Sequence, residues 1–141
     1  MKQFTFRKAE HLCSRKAIEA LFGQPHAAER AWPLLAVFRP VDRPAGAPVQ
    51  LLLSVSKRRF RHAVSRNRAK RLMREAYRRH KHLLPWQPPA GRGLDVAFVW
   101  IAPELATQAR VDAAVVRLLE GIGRQLAADP SGAADVQNPL P

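Results

Sequence analysis

The chain has 141 residues, 47% of them apolar, which is enough for one compact domain with its own core and too short to expect a second. Lys and Arg outnumber Asp and Glu by 24 to 11, a formal charge of +13 with a pI near 11.5, so the fold repels itself until a polyanion relieves it. Nucleic acid is the leading partner: no apolar run approaches the roughly 18 residues of a spanning helix, "MKQFTFRKAEH" lacks the apolar run of a signal peptide, and Cys13 alone excludes an intramolecular disulfide and a multi-cysteine zinc site. The expectation is a cytoplasmic protein with no membrane partner.

In chain order, "SRKAIEALF" predicts a short helix with Ser14 as N-cap and Ile18, Leu21 and Phe22 on one apolar stripe, stopped by Gly23 and Pro25. "PLLAVFRPV" and "VQLLLSVS" predict two strands, joined through "DRPAGAP" as a hairpin with a long loop. The second strand is almost continuously apolar, the pattern of a strand covered on both faces. "SRNRAKRLMREAYRRHKHLL", Ser65 to Leu84, predicts a long helix, and "LPWQPPAGRG" a loop dense in Pro and Gly. "LDVAFVWIA" then predicts a third strand, Leu94 to Ala102. Val111, Val115, Leu118, Leu119, Ile122 and Leu126 recur at helical spacing, although Gly121 and Gly123 each weaken that helix by roughly 1 kcal/mol relative to Ala. From about Asp129 the tail "DPSGAADVQNPLP" has too little apolar surface to hold itself down, and disorder is expected over 129–141. The order α-β-β-α-β-α makes one α+β domain over 1–128.

The long helix carries the strongest signal. At 100° per residue, Ala69, Leu72, Met73, Ala76, Tyr77, Leu83 and Leu84 fall on one stripe, and Asn67, Lys70, Arg71, Arg74, Arg78 and Lys81 on the opposite side. Lys57 to His82 holds twelve Lys or Arg residues, half of the chain's total, and a single acid, Glu75, placed to pair with Arg71 and Arg79. Ordinary solvated helices alternate charge, and like charges on adjacent turns lower helix stability, so phosphate neutralisation with counterion release is the better explanation. Strands flank this helix and no leucine heptads follow it, which leaves neither a helix-turn-helix nor a basic-zipper context and points away from DNA. An Arg-rich surface beside a platform for unpaired bases favours structured RNA, with Phe4, Phe6, Phe22, Phe38 and Phe60 as platform candidates; Phe38, mid-strand, belongs to the core.

"LSVSKRRFRHAVSRNRAKRLMREAYR", Leu53 to Arg78, closely resembles the central segment of the bacterial ribonuclease P protein family, in which a strand ending in Ser-Val-x-Lys leads into a helix carrying Arg-Asn-Arg, then Lys-Arg and Arg-Glu. Upstream, "FTFRKAEHLCSRKAIEALF" is similar to that family's aromatic opening and first helix, and downstream "LDVAFVWIAP" is similar to its third main strand. The resemblance implies an α/β sandwich with a left-handed βαβ crossover, of a kind also found in a domain of elongation factor G, where general rules predict a right-handed one. It also implies that Arg66, Asn67, Arg68, Lys70, Arg71 and Arg74 dock against a catalytic RNA, with Lys57 and Arg58 at the edge. A cleft between the first helix and the sheet would hold the single-stranded 5′ leader of precursor tRNA against Phe4, Phe6, Ile18 and Phe22, with Lys57 near the rim. Three positions depart from the family pattern: Ile18 stands where an aromatic residue is frequent, "LLLSVS" lacks a glycine often found there, and Ala69 replaces a branched residue.

Catalysis by the protein itself is not expected. Metal-assisted phosphodiester cleavage wants clustered carboxylates, whereas the eleven acids here are scattered singly, and His80 and His82, two apart on a helix, point in different directions. No HExxH, glycine-rich phosphate loop or nucleophile–base arrangement is present. The resemblance implies that the RNA with its Mg²⁺ performs the chemistry, that no cofactor is bound by protein residues, and that the partners are the catalytic RNA and precursor tRNA. The rival reading is a structural RNA-binding protein or RNA chaperone with no part in a reaction. The coupling of Ser-Val-x-Lys to Arg-Asn-Arg separates the two, because basicity alone does not require it.

Overall fold

The computed structural model describes residues 6–128, so Phe4 and the tail from Asp129 lie outside the described residues. After a 3-10 turn, Lys8–Glu10, the elements run α1 (Arg15–Gly23), β1 (Ala27–Ala31), β2 (Leu34–Asp42), β3 (Val49–Ser54), α2 (Ala63–His80), which ends before the expected Leu84 in a second 3-10 turn, Lys81–Leu83, then β4 (Arg92–Trp100) and α3 (Gln108–Ala128). The class is α+β, with one strand more than the sequence pattern predicts. Strand β1, "AAERA", contains no β-branched or aromatic residue, so nothing local marks it. It forms because it pairs antiparallel with β2, Ala27 opposite Phe38 through Ala31 opposite Leu34, and because Gln125 of α3 donates to the Ala28 carbonyl at 3.0 Å.

The sheet order β1-β2-β4-β3 corrects the expected hairpin between β2 and β3. Strand β4 lies between them, antiparallel to β2 (Leu34 opposite Trp100) and parallel to β3 (Val49 opposite Leu94, Ser54 opposite Val99), and α2 is the crossover between the two parallel neighbours. Burial explains the choice. Gly93 to Phe98 of β4 are all buried, the signature of a central strand, whereas β3 buries only Leu51 and takes the edge. That edge is covered by the incoming chain: Leu12 N–H donates to the Leu51 carbonyl at 3.0 Å, and His11 bridges Leu51 in parallel register.

Strand alternation sends the two faces to different covers. Ala36 and Phe38 of β2 and Val96, Phe98 and Trp100 of β4 meet Met73, Ala76 and Tyr77 of α2 and Val115, Leu118 and Ile122 of α3 in the main core. The opposite face carries Val37, Ala97 and Leu52 beneath Leu12, Ile18 and Leu21. At one end of that face Asp95, 2% exposed, is neutralised by Arg43, whose other nitrogen donates to the Pro48 carbonyl at 3.0 Å and fixes the loop between β2 and β3.

Candidate nucleic-acid interface

Helix α2 carries the expected core stripe from Ala69 to Tyr77, with Ala69, Met73, Ala76 and Tyr77 buried, whereas Leu83 and Leu84 lie beyond its end and Leu83 is exposed. Its N-cap, His62, makes no side-chain cap. Arg66 instead reaches back, its Nη1 donating to the carbonyls of Phe60 and Arg61, both at 2.8 Å, and so shapes the loop that enters the helix. The first turn has no acid, and the free N–H groups of the helix start add a partial positive charge to a segment already rich in Arg and Lys.

Charge pairing divides this helix in two. Toward the C-terminus the cations have partners: Arg78 bonds Glu75 at 2.7 Å, Arg79 bonds Asp112 of α3 at 2.9 Å, and Lys81 bonds Glu10. The Arg78 guanidinium holds the Glu75 carboxyl below the usual carboxylate range, and Glu75 in turn raises the guanidinium. Glu75 therefore pairs with Arg78 rather than with Arg71, and the acid facing Arg79 comes from another helix. Toward the N-terminus, among the described residues, no acid lies within salt-bridge distance of Lys57, Arg58, Arg59, Arg61, Arg68, Lys70, Arg71 or Arg74. All but Lys70 are exposed, as is Asn67. Arg59 and Arg61 extend the strip assigned from sequence, and the run "SKRRFR" is the signal that carries them.

The second predicted surface is assembled in part. Ser14 Oγ accepts from Ala17 N–H at 3.2 Å and starts α1, which lays Ile18 on the sheet while leaving Phe22, on the same stripe, 44% exposed. At nine residues, α1 covers only part of its face. One step along the strands from Val37, Ala97 and Leu52 lie Leu35, Val99 and Ser54, all half-buried, which extend an open floor beyond the helix. Lys57 follows Ser54 by a turn and stands exposed at that end of the sheet. Phe6 does not join this group: it stacks on His11 at 4.1 Å and meets Tyr77 edge-on at 5.5 Å, on the α2 side. Phe60 packs against the main core, tilted toward Trp100 at 6.2 Å, and Phe38 is fully buried. Leu35, Val99 and Ser54 escaped the sequence reading because only the strand register brings them to one face.

Five acids are engaged in structural pairing: Glu10 with Lys81, Asp42 with Arg92, Glu75 with Arg78, Asp95 with Arg43 and Asp112 with Arg79. Among the described residues no three His, Cys, Asp or Glu side chains gather as a metal site.

Fold and surface together define a mixed α+β protein in which a crossover helix between adjacent parallel strands presents a long unpaired cationic strip. The family model for ribonuclease P matches residues 6–122, and the chain belongs to that family. It is 47% identical over 81 residues to the ribonuclease P protein component of Porphyromonas gingivalis, which covers 57% of this chain and 58% of the relative. To the component of Chlorobaculum tepidum it is 42% identical over 72 residues, or 50% of this chain and 47% of the relative. These matches thus span about half of the relatives' length. The RNase P protein from Thermotoga maritima superposes with a TM-score of 0.60 at 22% identity, covering 79% of this chain and 96% of that one. The Staphylococcus aureus RNase P protein gives 0.58 at 19%, covering 82% and 96%. At such identities the likeness concerns the fold alone.

Proposed function

We propose that the chain is the protein subunit of ribonuclease P, which binds a catalytic RNA and assists removal of the 5′ leader from precursor tRNA. The observation that carries this reading is the division of the basic segment: from Lys57 to Arg74 the cations have no acid within salt-bridge distance among the described residues and all but Arg66 and Lys70 are exposed, while from Arg78 to Lys81 they are paired within the fold. A charge pattern serving stability alone would be paired throughout, whereas phosphates neutralise an unpaired strip with release of counterions. In this reading Arg68, Lys70, Arg71 and Arg74, with Asn67 beside them and Lys57 and Arg58 at the edge, meet the RNA backbone. Arg66 shapes the loop that carries the edge.

The leader would lie along the open face beside α1, with apolar contact from Ile18, stacking on the exposed Phe22 and Lys57 against a phosphate. The protein's work is binding and screening: it brings two polyanions together and lowers the repulsion between them. Among the described residues the carboxylates do not fit a Mg²⁺ site, because most are singly placed and engaged by Arg or Lys. Mg²⁺ is accordingly expected through the RNA, and the cytoplasm is the expected compartment.

The test is an assay of leader removal with RNA-free protein, catalytic RNA and both together, across a Mg²⁺ titration. The expected outcome is no cleavage by the protein and stimulation of the RNA, greatest at low Mg²⁺, where repulsion is least relieved. In the same system Phe22→Ala should weaken binding of precursor tRNA more than of mature tRNA, which has no unpaired leader to stack. Cleavage by protein alone would overturn the division of labour, and failure to stimulate a cognate RNA at every Mg²⁺ concentration would favour a structural RNA-binding protein.

A further inference from the structure

At the C-terminal end of α2, on the α2 side of the sheet and away from α1, a cavity of about 490 Å³ opens between the loop before β3, the N-terminal 3-10 turn and the loop after α2. Its size is that of a small-ligand pocket. Tyr77, Trp86, Leu84 and Val49 supply apolar wall, and Arg7, Lys81 and His82 put cationic or ionisable groups at its rim.

Tyr77 is the telling residue. It is 4% exposed, wedged edge-on against Phe6 at 5.5 Å and Phe98 at 5.9 Å, yet its hydroxyl has no hydrogen-bond partner among the described residues. A buried tyrosine ordinarily satisfies its hydroxyl, and one left orphaned at a cavity wall marks a place where something else completes the bond. Burial pushes its phenol well above the usual range, and the nearby Glu10 carboxylate adds to the effect, so the hydroxyl stays protonated and able to donate. Glu10, also on the wall, is held by the Arg7 N–H at 3.0 Å and by Lys81, which fixes an acceptor beside that donor.

We propose that this cavity takes an unpaired guanine nucleotide from an RNA strand. Guanine presents, side by side on one edge, a carbonyl acceptor for the Tyr77 hydroxyl and N–H donors for the Glu10 carboxylate. Its ring stacks on Trp86 and its phosphate meets the exposed Arg7. Uracil lacks that run of donors, and a plain apolar ligand would leave the Tyr77 hydroxyl unpaired. The site is separate from the cationic strip and from the floor beside α1, and it does not depend on the function proposed above.

The test is calorimetric titration of the full chain with guanosine 5′-monophosphate, uridine 5′-monophosphate and the single-stranded RNAs UUGUU and UUUUU, with quenching of tryptophan fluorescence that is lost in Trp86→Ala as a second readout. UUGUU should bind about tenfold or more tightly than UUUUU, and guanosine monophosphate should compete with it. Tyr77→Phe, which keeps the ring and so the core, should weaken binding about three- to tenfold with stability unchanged or raised, and Trp86→Ala should weaken it by about tenfold or more. Equal binding of UUGUU and UUUUU, or unchanged affinity in folded Tyr77→Phe, overturns the site. Guanosine monophosphate binding that UUGUU cannot displace overturns the RNA strand as its source. Stimulation of leader removal is read separately, so loss of this site leaves the proposed function standing.

Discussion

Arg66 and Arg68 belong to one Arg-Asn-Arg motif, yet their guanidinium groups do different work. Arg66 turns back to the Phe60 and Arg61 carbonyls, 2.8 Å from each, whereas Arg68 is exposed and among the described residues has no acid beside it. Charge-assisted bonds of this kind stabilise by about 1.5 to 3 kcal/mol each when well shielded, and less where solvent reaches them. Arg66→Ala should therefore lower unfolding free energy by about 1 to 3 kcal/mol in urea denaturation as well as weakening RNA binding, while Arg68→Ala should leave the denaturation midpoint in place and weaken RNA binding alone. Arg66→Lys should recover part of the lost stability, because both carbonyls are met by the single Nη1 nitrogen and an ammonium is likewise a point donor with several N–H groups. Equal midpoints for the two alanine variants would show that the bridge to the loop contributes nothing.

Helix α3 reads in sequence as weakened by its two glycines, and packing reverses that reading at one of them. A Cβ at Gly123 would collide with the ring of Pro85, in the loop that leaves α2, and one at Gly121 would collide with the side chain of Glu29 in β1. The pyrrolidine ring is rigid and set in the chain, so it cannot step aside, whereas a carboxylate arm can rotate away. Gly123→Ala is accordingly expected to destabilise by about 1 to 3 kcal/mol through overpacking, despite the gain in helix propensity of about 1 kcal/mol. Gly121→Ala should fall close to neutral, its propensity gain offset by the disturbed contact between Glu29 and Gln125. Thermal unfolding of the two variants decides the matter; a stabilised Gly123→Ala would mean that the loop from Pro85 yields freely.

Across the whole molecule, the excess positive charge is concentrated rather than spread. The eight cations from Lys57 to Arg74 that have no acid partner among the described residues lie in the β3–α2 loop and in α2 up to Arg74, toward the positive end of that helix, while Arg78, Arg79 and Lys81 are tied to Glu75, Asp112 and Glu10 and Arg66 to two backbone carbonyls. A strip of this kind should make the affinity for a structured RNA fall steeply with salt, with a log-log slope on the order of −6 if each cation meets one phosphate. Arg68→Ala should reduce the magnitude of that slope by up to about 1, and so should Arg71→Ala, whereas Arg79→Ala should leave the slope nearly unchanged and act through the α2–α3 contact. Filter-binding or fluorescence titrations over a salt series measure all three, and a slope that is the same in Arg68→Ala as in the parent would remove that residue from the interface.

The periodicity of "SRNRAKRLMREAYRRH" determined helix α2, its buried stripe and its exposed basic side, because a helix converts a local repeat into faces whatever lies around it. The N-cap at Ser14, the strand character of "LDVAFVWIA" and the family resemblance were legible for the same reason: each rests on neighbouring residues. Pairing between distant segments was not legible. Strand β1 has no propensity of its own and exists through β2 and Gln125. The central place of β4, which separates β2 from β3, depended on competition among strands for burial. The same limit applied to the candidate site, since Phe6 looks like a companion of Ile18 and Phe22 in a linear reading but is drawn to Tyr77 across the sheet. Only the tertiary structure decided which cations of the basic run found acids, because Glu10 and Asp112 are distant from Lys81 and Arg79 in sequence and reach them only when the chain has folded.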